Sequence, residues 1–225
     1  MLIIFAFAII YALVGSLIDD RTPKNICKIS PFILSLVHSI TSVSLSICIL
    51  STYNVSISNI STNIYLTNVT DESEIAIQII SGFLVWKLID ISMNGRGIAN
   101  LIHTIIVCTI YIAIGSMYNK YHVLLCIYCI VTEISNIPLN IYLICDWMQA
   151  NAEIYSKSCL YICIKSLAYN LCIILWPTIR LLYQGSLIMS IDTDTLAKNM
   201  YLRTIVCLMQ LAYVLDIYLT IICVL

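Results

Sequence analysis

Charge is scarce in this chain. Only 10% of its 225 residues are Asp, Glu, Lys or Arg, against roughly 25% in soluble domains, which excludes a soluble enzyme. An excess of basic charge is missing too, with 11 Lys and Arg against 12 Asp and Glu and a net charge of −1. Without a basic patch there is no electrostatic footprint for nucleic acid. Zinc-type spacing of Cys with His is absent, and the one CxxC pair, Cys126 and Cys129, falls inside an apolar run. The eleven cysteines therefore read as small apolar packing residues, with no metal and no cofactor expected. The sequence also has no repeat of fixed period and no charged linker block.

What is present is apolar. The hydrophobic share is 61% and the mean hydropathy +0.98, too high for disorder. Crossing a bilayer takes about 20 apolar residues as a helix, and open strands cannot satisfy their backbone at membrane depth. Hydropathy predicts seven helical spans, near 2–18, 32–51, 75–93, 98–117, 122–145, 159–184 and 203–225. The expected fold class is an all-α polytopic membrane protein. The first span lacks the basic n-region of a signal peptide and reads as retained.

Orientation follows from two loops. Arg21, Lys24 and Lys28 lie in the 19–31 loop, whereas the 52–74 loop has no Lys or Arg. The positive-inside rule puts the first of these in the cytosol. The second holds three N-x-S/T sequons, at Asn54, Asn59 and Asn68, which are glycosylated only on the lumenal side. The chain is thus expected to be a glycoprotein with a lumenal N-terminus and a cytosolic C-terminus.

Ionisable groups at mid-membrane cost roughly 2.5–3.5 kcal/mol on insertion scales and face a bundle interior when present. His38 sits in the second span with Ser35, Ser42 and Ser46 along its face. Lys87 and Asp90 are three residues apart in the third, at pairing distance on a helix. His103 follows Asn100 in the fourth, and Glu133 leads Asn136 and Asn140 along one face of the fifth. Arg180 falls near the lumenal end of the sixth, and Asp216 is central in the seventh. Convergent polar groups inside an apolar bundle are the usual form of a small-molecule or lipid site.

The segments SLVHSITS (35–42), SGFLVWKLIDI (81–91), NLIHTII (100–106), TEISNIPLN (132–140), WPTIRLLYQG (176–185) and QLAYVLDIY (210–218) carry a resemblance in their order and spacing. Together they resemble the TLC-domain family of translocating-chain-associated proteins, ceramide synthases and small TLC-domain-containing membrane proteins, the last being the nearest in pattern. The resemblance implies a first span and cytosolic loop over 1–29. It implies a six-helix membrane domain over 30–225, a helical barrel around an elongated apolar cavity. It also implies a lipid site built from His38, Trp86, Asp90, His103, Glu133, Asn136, Asn140, Arg180 and Asp216. If the protein is an enzyme, His103 with Asp90 and Glu133 would be catalytic and acyl-CoA the substrate. The chain departs from the ceramide-synthase pattern in two places. Ile102 leaves one histidine where relatives have two, and Lys87 stands where relatives often have an acid.

The function expected is therefore binding or sensing of a lipid, an acyl chain or sphingolipid, with an influence on membrane lipid composition. The alternative is a ceramide-synthase-like N-acyltransferase. A seven-helix receptor is a remote reading, since WPTI (176–179) bears a slight likeness to a receptor element but no Asp-Arg-Tyr triplet follows the third span. A retinal protein needs an amine for its Schiff base, and the last span has no Lys. No filter or repeat supports a channel. Membrane lipids are the expected partners, with a homodimer as the one protein assembly considered. The endoplasmic reticulum is the expected location, ahead of the plasma membrane. In eukaryotic cells an N-glycosidase should shift the electrophoretic band; an unshifted band with the 52–74 loop labelled from the cytosol would reverse the orientation.

Overall fold

A computed structural model describes residues 2–20, 28–52, 71–94, 97–117, 122–151, 159–189, 191 and 200–224. The sequons at Asn54, Asn59 and Asn68 lie outside the described residues. In chain order the helices are α1 (Leu2–Asp19), α2 (Ser30–Thr52), α3 (Asp71–Asn94), α4 (Ile98–Met117), α5 (His122–Glu133) and α6 (Asn136–Asn151). Then come α7 (Cys159–Leu175), a π-helical stretch (Trp176–Tyr183), α8 (Gln184–Met189) and α9 (Met200–Val224). Among the described residues there is no strand. Six helical stretches are long and apolar enough to cross a membrane, with α5–α6 and α7–α8 each counting as one; the described apolar part of α4, Ile98–Ile112, is shorter. The protein is an all-α polytopic membrane protein.

Helix neighbours define a ring in the order α2, α3, α4, α9, the π stretch with α7, and α6, which closes back on α2. Inside the ring stands α5. Every residue from His122 to Thr132 is buried, and α5 packs on α2, α3, α4, α8 and the π stretch. A helix apolar all round belongs in an interior, and HVLLCIYCIVT (122–132) is such a sequence. By contrast, α7 buries only Ala168 and offers its remaining apolar surface to lipid.

The 122–145 span, expected as one helix, is two. The chain turns at Ile134–Ser135 and restarts as α6. Pro138 has no N–H to offer the Ile134 carbonyl, but it is well suited to the first turn of a new helix. After the turn α6 leaves the centre and joins the wall, against α2 and α7. There the Tyr161 hydroxyl donates to the Cys145 carbonyl, and Lys165 Nζ donates to Asp146 Oδ1 at 2.7 Å and Gln149 Oε1 at 2.6 Å. The central helix thus fills one half of the ring and leaves room in the other.

Hydroxyls along the helices are largely consumed locally. Ser81, Thr109, Thr132 and Thr178 each donate to the carbonyl four residues back, which removes the cost of an unpaired hydroxyl in lipid. No described cysteine is in a disulfide.

The first helix lies against α3 and α2. Gly82 sets its approach, because a Cβ there would stand 2.5 Å from Phe7 Cβ and 2.9 Å from the Ile4 carbonyl oxygen. Beside it Tyr11 meets Phe83 edge-on at 5.2 Å, and Phe83 stacks on His38 at 3.7 Å. The Asp19 carboxylate at the end of α1 accepts the Ser30 hydroxyl at 2.8 Å and the Ser30 N–H at 3.3 Å, holding the start of α2. Since Gly82 faces a backbone oxygen, no rotamer change relieves a new side chain. Gly82→Ala should therefore destabilise the protein by about 1–3 kcal/mol, the usual cost of overpacking, seen as a lowered Tm in detergent; an unchanged Tm would mean that α1 is loosely held.

Candidate functional site

Two interruptions of helix geometry face each other inside the ring. One is the turn between α5 and α6. The other is the π stretch, where Pro177 cannot supply an N–H and its ring crowds the preceding turn, so the helix widens. Its end is marked by the Gln184 N–H reaching back to the Ile179 carbonyl. A broken helix at membrane depth requires other groups to satisfy the freed carbonyls. Within the π stretch the Leu181 carbonyl accepts from the Tyr213 hydroxyl at 2.8 Å. Tyr213 can come so near because residue 185 is Gly: a Cβ there would stand 2.8 Å from the Tyr213 oxygen.

At the α5–α6 turn the group is Arg180, only 4% exposed. Its Nη2 donates to the Thr132 carbonyl at 2.8 Å and to Asn136 Oδ1 at 2.9 Å. Nε donates to Ser135 Oγ at 3.2 Å, and Nη1 to Asp216 Oδ1 at 2.8 Å. The guanidinium lies over the Trp176 ring, 4.6 Å from its centroid, as cation–π contact favours. Asp216 Oδ2 accepts from Gln184 Nε2 at 3.3 Å. One side chain therefore joins the turn, the π stretch and α9.

Around this knot is a cavity of about 180 Å³. His103, Asn100 and Thr104 come to it from α4, Lys87 and Phe83 from α3, and Ser39 from α2. Glu133, Asn136, Asn140, Arg180 and Asp216 complete its polar wall. Glu133 Oε2 accepts from Ser39 Oγ at 2.7 Å and Asn136 Nδ2 at 3.0 Å, and its charge stands just ahead of the N-terminus of α6, where the helix dipole favours it. His103 Nε2 lies 3.2 Å from Asp216 Oδ1, close enough for an ion pair. It is nevertheless out of line for a hydrogen bond, and among the described residues this buried nitrogen has no other partner.

Of the residues expected at the site, His103, Glu133, Asn136, Asn140, Arg180 and Asp216 meet at this cavity. Three do not. Asp90 accepts from Asn94 Nδ2 at 2.7 Å and lines an outer groove between α1 and α3, so the carboxylate beside His103 is Asp216. Trp86 faces the same groove and packs at 5.3 Å on Phe83. His38 is a core residue, stacked on Phe83 with Ser42 Oγ 3.2 Å from its Nδ1. The cavity also differs from the elongated apolar one expected. It is small and lined by polar and apolar surface in similar measure, because α5 occupies the rest of the ring.

Arg180 is deeper than its place at the end of a 159–184 span implies. The helix runs on to Met189, since Gln184 turns inward to Asp216 and Gly185 packs under Tyr213. Ser39, Lys87, Thr132 and Gln184 were outside the expected site set. Ser39, beside His38, and Lys87, at membrane depth, had a signal in the sequence; Thr132 acts through its carbonyl and has none.

Truncating one partner of a buried ion pair costs about 3–5 kcal/mol, and Arg180 also holds the Thr132 carbonyl. Arg180→Met should lower Tm strongly, and adding Asp216→Leu should restore only part of the loss. Full restoration by the double variant would show that the turn does not depend on the guanidinium.

Comparison with protein families gives one match: a family model described as the TLC domain aligns with residues 28–224. No curated protein and no solved structure matches the chain.

Proposed function

The chain belongs to the TLC-domain family, whose domain covers residues 28–224, and from that membership in a membrane lipid-related family we propose that it binds a lipid by its polar head group in the central cavity. The observation that supports this reading is the convergence of His103, Glu133, Asn136, Asn140, Arg180 and Asp216 on one cavity. A hydroxyl, amide or ester of a lipid head would find both donors and acceptors among these side chains. The cavity, at about 180 Å³, is below the roughly 300–1,000 Å³ of pockets that enclose whole ligands. That size suits a head group whose chains lie among the helices or in the bilayer. An acyl chain or sphingolipid as ligand, an influence on lipid composition and residence in the endoplasmic reticulum complete the proposal.

The approach of His103 to Asp216 favours a second reading, an acyl-CoA-dependent N-acyltransferase, because a carboxylate can set an imidazole for proton transfer. Three features weigh against it. Asp216 already shares Oδ1 with Arg180, Asp90 is elsewhere, and Ile102 replaces a second histidine.

Native mass spectrometry of purified protein should show retained lipid, and His103→Ala should reduce retention about fivefold, the equivalent of one ~1 kcal/mol hydrogen bond. Retention unaltered by His103→Ala in the folded fraction would reject the cavity as the head-group site. Acyl-CoA consumption by the parent protein, lost in His103→Ala, would establish the enzyme instead.

A further inference from the structure

Two opposite faces can be told apart on α7. Tyr161, Lys165 and Ala168 recur at helical spacing and share the face that meets α6. Tyr161 donates to the Cys145 carbonyl, Lys165 holds Asp146 and Gln149, and Ala168 is the buried residue of the helix. The other face carries Cys159, Cys163, Ser166 and Asn170, in steps of four, three and four, and continues with Ile173 and Ile174. Both cysteines are exposed, as are Ser166 and Asn170, and the isoleucines are 51% and 60% exposed. With its inner face fixed to α6, the helix holds this second face outward.

Asn170 does not suit a lipid-facing surface. It stands within the apolar run 167–176, roughly 7 Å beyond Lys165 at 1.5 Å per residue. Acyl chains offer a carboxamide no hydrogen bond, and an unpaired amide in an apolar medium is costly. Exposed hydroxyls of the spans escape that cost by donating to their own helix, as Thr109 and Thr178 do. The Asn170 amide is bonded to no described residue. Whatever covers it must bring a donor and an acceptor to the same depth. A second copy does both: about a two-fold axis normal to the membrane Asn170 meets Asn170, and each amide donates to the other's carbonyl oxygen. Cys159, Cys163 and Ser166 are small enough for two α7 backbones to approach closely. Their four-three spacing is that of helices crossing at about 20°. Gln210 of α9 is also exposed, but its face carries Arg203 and Val214, which hold a partner backbone off.

We propose that α7 is the subunit interface of a homodimer, in which the Cys159, Cys163, Ser166 and Asn170 faces of two copies pack together and the Asn170 side chains exchange hydrogen bonds across the two-fold axis. None of these four residues lines the central cavity, so the assembly does not depend on His103.

The test uses the full-length protein in phosphatidylcholine vesicles, with association followed by single-molecule photobleaching over a range of protein-to-lipid ratios. The parent should dimerise. Asn170→Leu should weaken dimerisation about tenfold, ~1.4 kcal/mol, with Tm unchanged because the side chain is exposed. Gln210→Leu should leave association as it is. A short bismaleimide should give a band of twice the monomer mass. That band should vanish in Cys159→Ser with Cys163→Ser, although Cys48 and Cys207 remain exposed. A monomer at every ratio, or dimerisation unaltered by Asn170→Leu, would overturn the proposal. So would dimerisation weakened only by Gln210→Leu, a crosslinked band that persists without Cys159 and Cys163, or crosslinking in intact cells solely to a different polypeptide.

Discussion

The Arg180 guanidinium is the constraint on which the rest of the interior depends. A membrane core supplies no water to a freed carbonyl, and a helix broken at that depth would be expensive without a donor from elsewhere. Arg180 is that donor for Thr132, beside the Ser135 hydroxyl. It is itself an expensive group to bury, and Asp216, Asn136 and Ser135 together with the Trp176 ring compensate it. Each partner explains another. The π stretch widens at Pro177 and carries Arg180 inward, Gln184 steadies Asp216, and Gly185 lets Tyr213 repair Leu181. Two helix defects, neither tolerable alone in lipid, are jointly satisfied.

The cavity is a by-product of the same arrangement. While α5 holds the centre, the ring is packed solid. Once Arg180 has stabilised the turn, α6 moves to the wall and the volume beyond the end of α5 is left to polar side chains. His103, Lys87 and Glu133 can occupy this depth because the space beside them is lined by other polar groups. Their presence and the break in the fifth span have one cause.

Much of this was legible in the sequence. Long apolar runs separated by polar clusters marked the spans, though not the break within 122–145 or the π stretch, since hydropathy and the backbone's need for internal hydrogen bonds leave little else. Polar residues at membrane depth marked six of the cavity's residues, because burying them in lipid is costly wherever they fall. Three lie away from the cavity for physical reasons. Trp86 is next to Lys87 on α3, and a one-residue rotation of a helix sends neighbours to different faces; Asp90, nearer the end of α3, accepts from Asn94 and lines the outer groove. His38 lies on the correct helix but is held by Phe83, an aromatic stack that periodicity does not reveal. The depth of Arg180 was hidden because Gln184 and Gly185 read as the end of a span. Their polarity is directed inward, and only the packing of α9 shows it.

The knot at the centre is fastened at two points to backbone oxygens, those of Thr132 and Leu181. A carbonyl is present whatever side chain the position carries. Mutational drift at 132 or 181 would therefore leave both anchors in place, while the residues that must be kept are the donors, Arg180 and Tyr213, together with Pro138 and Pro177, which interrupt the helices beside them. The inheritance of this interior is written in its helix breakers and its donors, and the acceptors come with the chain itself.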